Sequence, residues 1–89
     1  MFLGSLQDEG SAIARYFFHL HNGHVMIDHE GTDLGGPDEA RKQAIVAAGE
    51  MLRDQGETFW RREDWTMHVK DEVGRTVCRL MLSGECGVP

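Results

Sequence analysis

An Asn-Gly pair, Asn22-Gly23, is the feature of this sequence that most constrains its fold. Both residues tolerate the positive φ that a type I′ turn requires, and such turns close two-residue β-hairpins. Aromatic and aliphatic residues flank the pair on both sides. The sequence therefore predicts an antiparallel hairpin over residues 15–28, in which Leu20 lies opposite Val25 and His21 opposite His24.

A two-residue turn also predicts which side chains share a face of the hairpin, because side chains alternate along each strand. The face expected to enter the core carries Tyr16, Phe18, Leu20, Val25 and Ile27. The other face is mixed and rich in histidine, and carries Phe17, His19, His21, His24, Met26 and Asp28. A slip of one residue would exchange the two faces, so burial of the first set is expected to hold the register.

A helix is predicted from about Pro37 to about Gln55, with Gly56 as its stop signal. Its apolar stripe has helical spacing and consists of Ala40, Ala44, Ala47, Ala48, Met51 and Leu52. Residues 57–64 are predicted to form either a second short helix or a loop over one end of the core. In either case Phe59 and Trp60 are expected to fill the gap between helix and sheet, unless Trp60 is exposed as a contact site.

A second hairpin is predicted from strands at residues 65–70 and 76–82, with Gly74 in the turn between them. Val69 is expected to face Val77. Leu80 and Leu82 have the opposite parity from Val77, which predicts either a β-bulge near residues 78–79 or a strand covered on both faces.

These elements predict an α+β fold, in which a four-stranded antiparallel sheet carries one long helix packed on one face. Their order is strand-strand-helix-strand-strand. The 89 residues suffice for one domain, expected over residues 15–83. Residues 1–14 are expected to form a flexible leader and residues 84–89 a C-terminal tail.

Composition narrows the function classes. The net charge of −6, from 15 acidic and 9 basic residues, argues against a general nucleic-acid binder, which must neutralise phosphates. No stretch reaches the roughly 20 apolar residues of a membrane span, and the first residues lack the basic segment of a signal peptide. We therefore expect a cytoplasmic protein without membrane contact, in which Cys78 and Cys86 are reduced thiols.

Several segments together resemble a small bacterial family, common in alphaproteobacteria, that is classed as a domain of unknown function. They are Arg15-Tyr16-Phe17-Phe18-His19, Asn22-Gly23, residues 28–34, Ala40-Arg41 with Ala44, and residues 69–75. The resemblance covers about residues 15–82, and residues 1–14 depart from the family pattern. The family has no established activity, so the resemblance implies the fold and transfers no site residues.

Three histidines of the first hairpin, His19, His21 and His24, form the first candidate site. In the predicted register they share one face near the turn, where imidazoles can hold Zn²⁺, Ni²⁺ or Cu²⁺. The alternative is that they are exposed polar residues on the open face of an antiparallel sheet.

The open face of the sheet is the second candidate, because one helix covers only one side. Its predicted interaction surface consists of Phe17, His19, Met26 and His68. Exposed apolar residues on a polar face favour a partner surface. A homodimer that pairs sheets or edge strands suits a domain with so small a core, and another protein partner is the alternative.

Enzyme chemistry has less support. His19 and Asp28 are predicted to be diagonal neighbours, which is compatible with a general base. No nucleophile at a defined spacing and no phosphate-binding loop accompanies them, so we expect neither catalysis nor a cofactor. The favoured function is a non-enzymatic interaction or homodimerisation module with a regulatory use. A metal-binding protein is the alternative, and a nucleic-acid-linked regulator is the least favoured class.

Overall fold

The structure is a computed structural model that describes residues 13–61 and 64–87. The elements follow in the order β1 (Ala14–His21), β2 (Val25–Met26), β3 (Thr32–Leu34), α1 (Pro37–Asp54), α2 (Gly56–Phe59), β4 (Trp65–Lys70) and β5 (Thr76–Leu82). The predicted α+β class, with an antiparallel sheet and one long helix, is confirmed. The structure adds the short strand β3, and α2 agrees with the short-helix alternative predicted for residues 57–64. The predicted leader lies outside the described residues, except for its last two.

The sheet has the order β2-β1-β4-β5, and β3 also pairs with β1. All pairs are antiparallel. β1 is therefore a central strand: β4 lies beside it, and the segment from β2 to β3 runs antiparallel to it. The two hairpins of the chain meet through β1 and β4, where Phe17 pairs with Lys70 and His21 with Thr66.

The register of the first hairpin differs by one residue from the prediction. Leu20 pairs with Met26, and His21 pairs with Val25, so the loop has three residues, 22–24, instead of two. The reason is tertiary. Asn22 is only 5% exposed, and its Nδ2 donates a hydrogen bond to Oε1 of Gln55, 3.3 Å away, at the end of α1.

This one-residue shift exchanges the faces of β2. Met26 lies on the same side of the sheet as Leu20, because directly paired residues share a face. Val25 therefore lies with His21 on the opposite side. Val25 is 64% exposed and Ile27 is 50% exposed, so the prediction that both enter the core is wrong.

The side chain of Asp28 bonds to the middle of β1, at residues 17–19, which pair with neither β2 nor β3. Between the pairs Leu20–Met26 and Tyr16–Thr32, β1 has three residues, 17–19, whereas the returning segment has five, 27–31. One carboxylate oxygen of Asp28, Oδ2, accepts the backbone N–H of Phe18 at 3.1 Å. The other, Oδ1, accepts those of residues 30 and 31 at 3.1 and 3.0 Å. This side-chain turn accommodates the two extra residues.

The core lies between α1 and one face of the sheet. Three alanines at four-residue spacing, Ala40, Ala44 and Ala48, are buried on α1. They belong to one cluster with the large buried residues of the central strands, Tyr16, Leu20, Trp65, Met67 and Val69. The predicted alanine stripe thus provides a smooth helix surface against bulky sheet residues. Among the described residues, no helix is both long and apolar enough to cross a lipid bilayer.

The second hairpin contains the bulge that the parity of its return strand indicated. Val69 pairs with Cys78 and Lys70 with Thr76, so Val77 is the extra residue. The expected pairing of Val69 with Val77 is therefore wrong by one position. The bulge places Cys78, Leu80 and Leu82 on the helix side of the sheet, and Arg79 and Met81 on the other side.

A second aspartate, Asp71, closes the turn of this hairpin. Its Oδ1 accepts hydrogen bonds from the backbone N–H groups of Val73 and Arg75 at 3.0 and 2.9 Å. Its Oδ2 accepts one from the side-chain Nε–H of Arg75 at 2.9 Å. Gly74 supplies the positive φ of 87° that the turn requires. The turn between β2 and β3 and the turn of the second hairpin therefore both contain an aspartate that accepts backbone N–H groups.

We expect Gly31→Ala to destabilise the fold by about 1–3 kcal/mol. Gly31 has a φ of +75°, and an added Cβ would lie 2.6 Å from Cγ of Arg15 and 2.9 Å from Cε2 of Phe17. Gly49→Ala is the matched control, because no atom lies within 4 Å of its added Cβ on α1. There, alanine should stabilise by about 0.5–1 kcal/mol. Urea unfolding measures both values, and a shift of the two variants in the same direction would contradict this account.

Candidate functional site

The candidate site is the face of the sheet opposite α1, which we call the open face. Its side chains are Phe17, His19 and His21 of β1, Val25 and Ile27 of the β2 segment, Thr66, His68 and Lys70 of β4, and Arg79 and Met81 of β5. An open depression of about 400 Å³ lies on this face. In the described part of the chain, the buried side of α1 packs on the other face.

The strand registers arrange the open face in rows. One row runs His19, His68, Arg79 across three strands. The next row has His21 at its centre, with Val25 on one side and Thr66 followed by Met81 on the other. Because adjacent strands lie about 4.8 Å apart, each row crosses the sheet with its side chains in lateral contact range.

The depression is electropositive, although the chain is acidic. The lining includes the cations Lys70 and Arg79 and the histidines His19, His21 and His68, and it includes no carboxylate. Partial burial lowers the pKa of His68, and the neighbouring Arg79, Lys70 and His19 lower it further. These effects favour the neutral form of the His68 imidazole, and its Nε2 lies 2.7 Å from Oγ1 of Thr76.

His19 and Asp28 do not form the arrangement of a general base. The backbone N–H of Asp28 donates to Nδ1 of His19 at 3.1 Å, so the contact with the imidazole uses the main chain. The Asp28 carboxylate instead accepts the three backbone N–H groups described above. Partial burial would raise its pKa, but these hydrogen bonds, with the nearby His19, hold the pKa of Asp28 below its ordinary value. Asp28 is a structural carboxylate.

The histidine hypothesis receives no support from the geometry. His19 and His21 lie on the open face, whereas His24 lies in the turn and is exposed. Within residues 13–61 and 64–87, no group of three or more histidine, cysteine, aspartate or glutamate side chains is placed to hold a metal ion.

The two cysteines are also apart from any candidate chemistry. Both are free thiols: Cys78 is half-buried in β5 and Cys86 is exposed. Burial raises the pKa of the Cys78 thiol, and Arg41 offsets only part of this effect. A thiol that is held protonated is a weak nucleophile.

Of the four residues predicted to form the interaction surface, three lie on the open face. Phe17 and His19 stack there, with ring centroids 6.5 Å apart and an interplanar angle of 8°, and His68 is in the neighbouring strand. Met26 lies on the helix side. Sequence reasoning missed Val25 and Ile27 because their face depends on the hairpin register. It also gave no role to the cations Lys70 and Arg79, although strand alternation alone places Lys70 with His68.

A second apolar area lies where α2 meets the end of β5. It is lined by Leu52, Gly56, Phe59, Trp60 and Leu82. Trp60 is 54% exposed, so the prediction that it fills the gap between helix and sheet is wrong, while Phe59 is half-buried against the core. The two rings meet edge to face with centroids 5.2 Å apart, close to the backbone of Gly84.

Over the described residues, the fold and these surfaces define a small α+β domain with α1 on one face of the sheet and the open face on the other. A family model described as domain of unknown function (DUF6894) matches residues 15–83, and the chain belongs to this family. No curated protein and no solved structure matches the chain. The sequence segments that carry the resemblance include both aspartate-closed turns, around Asp28 and Asp71.

We expect acid to destabilise the protein partly through Asp28. A carboxyl whose folded pKa is lowered contributes stability above its unfolded pKa, and this stability is lost as the pH falls through the folded value. Asp28→Asn should therefore be less stable at pH 7 and should lose less stability than the unmodified protein below roughly pH 4. Urea unfolding between pH 7 and pH 3 measures this, with Asp54→Asn at the exposed end of α1 as the control. Parallel pH profiles for Asp28→Asn and the unmodified protein would contradict the assignment.

Proposed function

We propose that this protein is a small, non-enzymatic protein-interaction module that functions as a homodimer, with two copies joined at the edge strand β5. The observation that carries the proposal is the position of β5 at the end of the sheet order, where it pairs with β4 alone in the described part of the chain. An unpaired strand edge presents N–H and C=O groups that a second copy can pair with. Antiparallel pairing about a two-fold axis satisfies both copies equally.

The side-chain pattern of β5 favours one register. An axis at Leu80 keeps helix-side residues together, because Cys78 then lies opposite Leu82 of the partner subunit. On the open face it places Arg79 opposite Met81 of the partner subunit. An axis at Arg79 would set two like charges directly opposite each other, which is destabilising.

The apolar area around Trp60 supports the same interface. It adjoins the end of β5 through Leu82, so a second copy on this edge can cover exposed aromatic surface as well as backbone. A domain of 89 residues whose buried hydrophobic core includes three alanines gains stability from such additional burial. Direct stacking of two open faces is disfavoured, because it would bring the cationic residues of both copies together.

A non-enzymatic role agrees with the chemistry of the site. The carboxylate of Asp28, whose backbone N–H contacts His19, accepts backbone N–H groups instead of serving an imidazole. The thiol of Cys78 has a raised pKa. The depression on the open face is wide and open, unlike the enclosed pockets in which catalytic groups are desolvated.

The register can be tested by intermolecular disulfides. In a background with Cys78→Ser and Cys86→Ser, Arg79→Cys chains mixed with Met81→Cys chains should form cross-linked pairs on oxidation. Directly opposed Cβ atoms lie about 4.5–5.5 Å apart, whereas the diagonal separation within each single variant is about 7–8 Å. Each variant alone should therefore cross-link far less than the mixture.

Two controls complete the experiment. Val73→Cys, exposed in the second turn, should not cross-link with either chain. Light scattering of the unmodified protein should give twice the single-chain mass of 10.0 kDa. A mass of one chain at high protein concentration, or equal cross-linking by Val73→Cys, would refute the edge-strand dimer.

A further inference from the structure

Charge is distributed unevenly over this protein. The chain has a net charge of −6, yet the lining of the open-face depression includes two cations and three histidines and no carboxylate. Lys70 and Arg79 lie on adjacent strands, since Arg79 pairs with His68 and Lys70 is two residues further along β4. Such diagonal neighbours lie about 7–8 Å apart in a regular ladder.

These two cations are not neutralised by the part of the chain that the structure describes. Ion pairs there join Arg15 to Asp33, Arg41 to Asp38, Arg53 to Asp54 and Arg75 to Asp71. Within residues 13–61 and 64–87, neither Lys70 nor Arg79 takes part in one. Both cations also act on His68. Partial burial is the largest cause of its lowered pKa, and the charges of Arg79 and Lys70 lower this pKa further.

Apolar groups border the same depression. Val25 and Ile27 lie at the β2 side, and Met81 is 68% exposed on β5. A surface with a cationic centre and an apolar border binds best to a ligand that carries both carboxylates and apolar side chains.

We propose that the open face binds an extended acidic peptide segment of a partner protein, with its carboxylates at Lys70 and Arg79 and its apolar side chains at Val25, Ile27 and Met81. The proposal rests on the interaction role proposed above and not on the dimer. Alternate residues of an extended peptide lie about 6.8 Å apart, close to the separation of about 7–8 Å between diagonal neighbours such as Lys70 and Arg79.

A peptide fits these observations better than a nucleic acid. Nucleic-acid affinity depends on neutralising many phosphates, and this face offers two permanent cations on an acidic protein. Three exposed apolar side chains have no counterpart on a phosphate backbone.

The test uses the full-length protein and a fluorescein-labelled ten-residue peptide of alternating Glu and Leu. Its isosteric control replaces each Glu by Gln. Fluorescence anisotropy should show about ten-fold weaker binding of the Gln peptide, and raising the salt to 1 M should weaken the Glu peptide alone. These two measurements need no variant of the protein.

A pair of charge-matched double variants then locates the site. Lys70→Gln with Arg79→Gln should weaken the Glu peptide about ten-fold. Lys42→Gln with Arg53→Gln removes the same charge from α1 and should leave the binding unchanged. Circular dichroism verifies that both double variants fold.

Four results would overturn the proposal: equal binding of the Glu and Gln peptides, no binding at 1 mM protein, equal losses in the two double variants, or binding of a ten-nucleotide uridine RNA in place of the peptide. Light scattering on the same samples reports the dimer separately. A dimer that binds no acidic peptide refutes this inference and leaves the proposed dimer intact.

Discussion

The carboxylate of Asp28 holds together the part of the sheet on which the open face depends. The segment that returns along β1 has two more residues than β1 offers, so a regular ladder cannot continue from β2 to β3. Asp28 removes this mismatch by accepting the N–H of Phe18 on one oxygen and two N–H groups of its own turn on the other. Without this carboxylate the partly buried N–H groups of Phe18 and Gly31 would lose their acceptor, and a donor that burial leaves unpaired costs about 1–3 kcal/mol. Ile27, which directly precedes Asp28, keeps its place on the open face because this turn is fixed.

The residues that form the two turns and the residues that form the open face are largely different. The segments that resemble the family contain the aspartates and glycines of two turns, in which Asp28 works with Gly31 and Asp71 with Gly74. The open face is made of alternate residues in β1, β4 and β5 together with Val25 and Ile27, and most of these lie outside the resembling segments. A surface of this kind can change its side chains, and hence its partner, while the turns that build the sheet stay the same.

The limits of prediction follow from the range of the interactions involved. The helix, the second turn and the bulge depend on neighbouring residues, so local pattern was sufficient to find them. The first hairpin was predicted with the wrong register because Asn22 contacts Gln55, 33 residues away, and this contact lengthens the loop. Within β1 and β4 the predicted open-face positions, Phe17, His19 and His68, agree with the structure because alternation along one strand needs no partner. The faces of Val25 and Met26 on β2 depended on the pairing with β1, so each was predicted on the wrong face of the sheet.

The pairing of β1 with β4 has a consequence for how the chain is made. These neighbours are distant in sequence, since Phe17 pairs with Lys70, and the core residues of β1 pack against Trp65 and Met67. A nascent chain that has emerged only as far as α1 therefore lacks Trp65, Met67 and Val69, the largest fully buried side chains of the described residues. Formation of the core must await synthesis of the second hairpin, and closure of so long a loop slows this step.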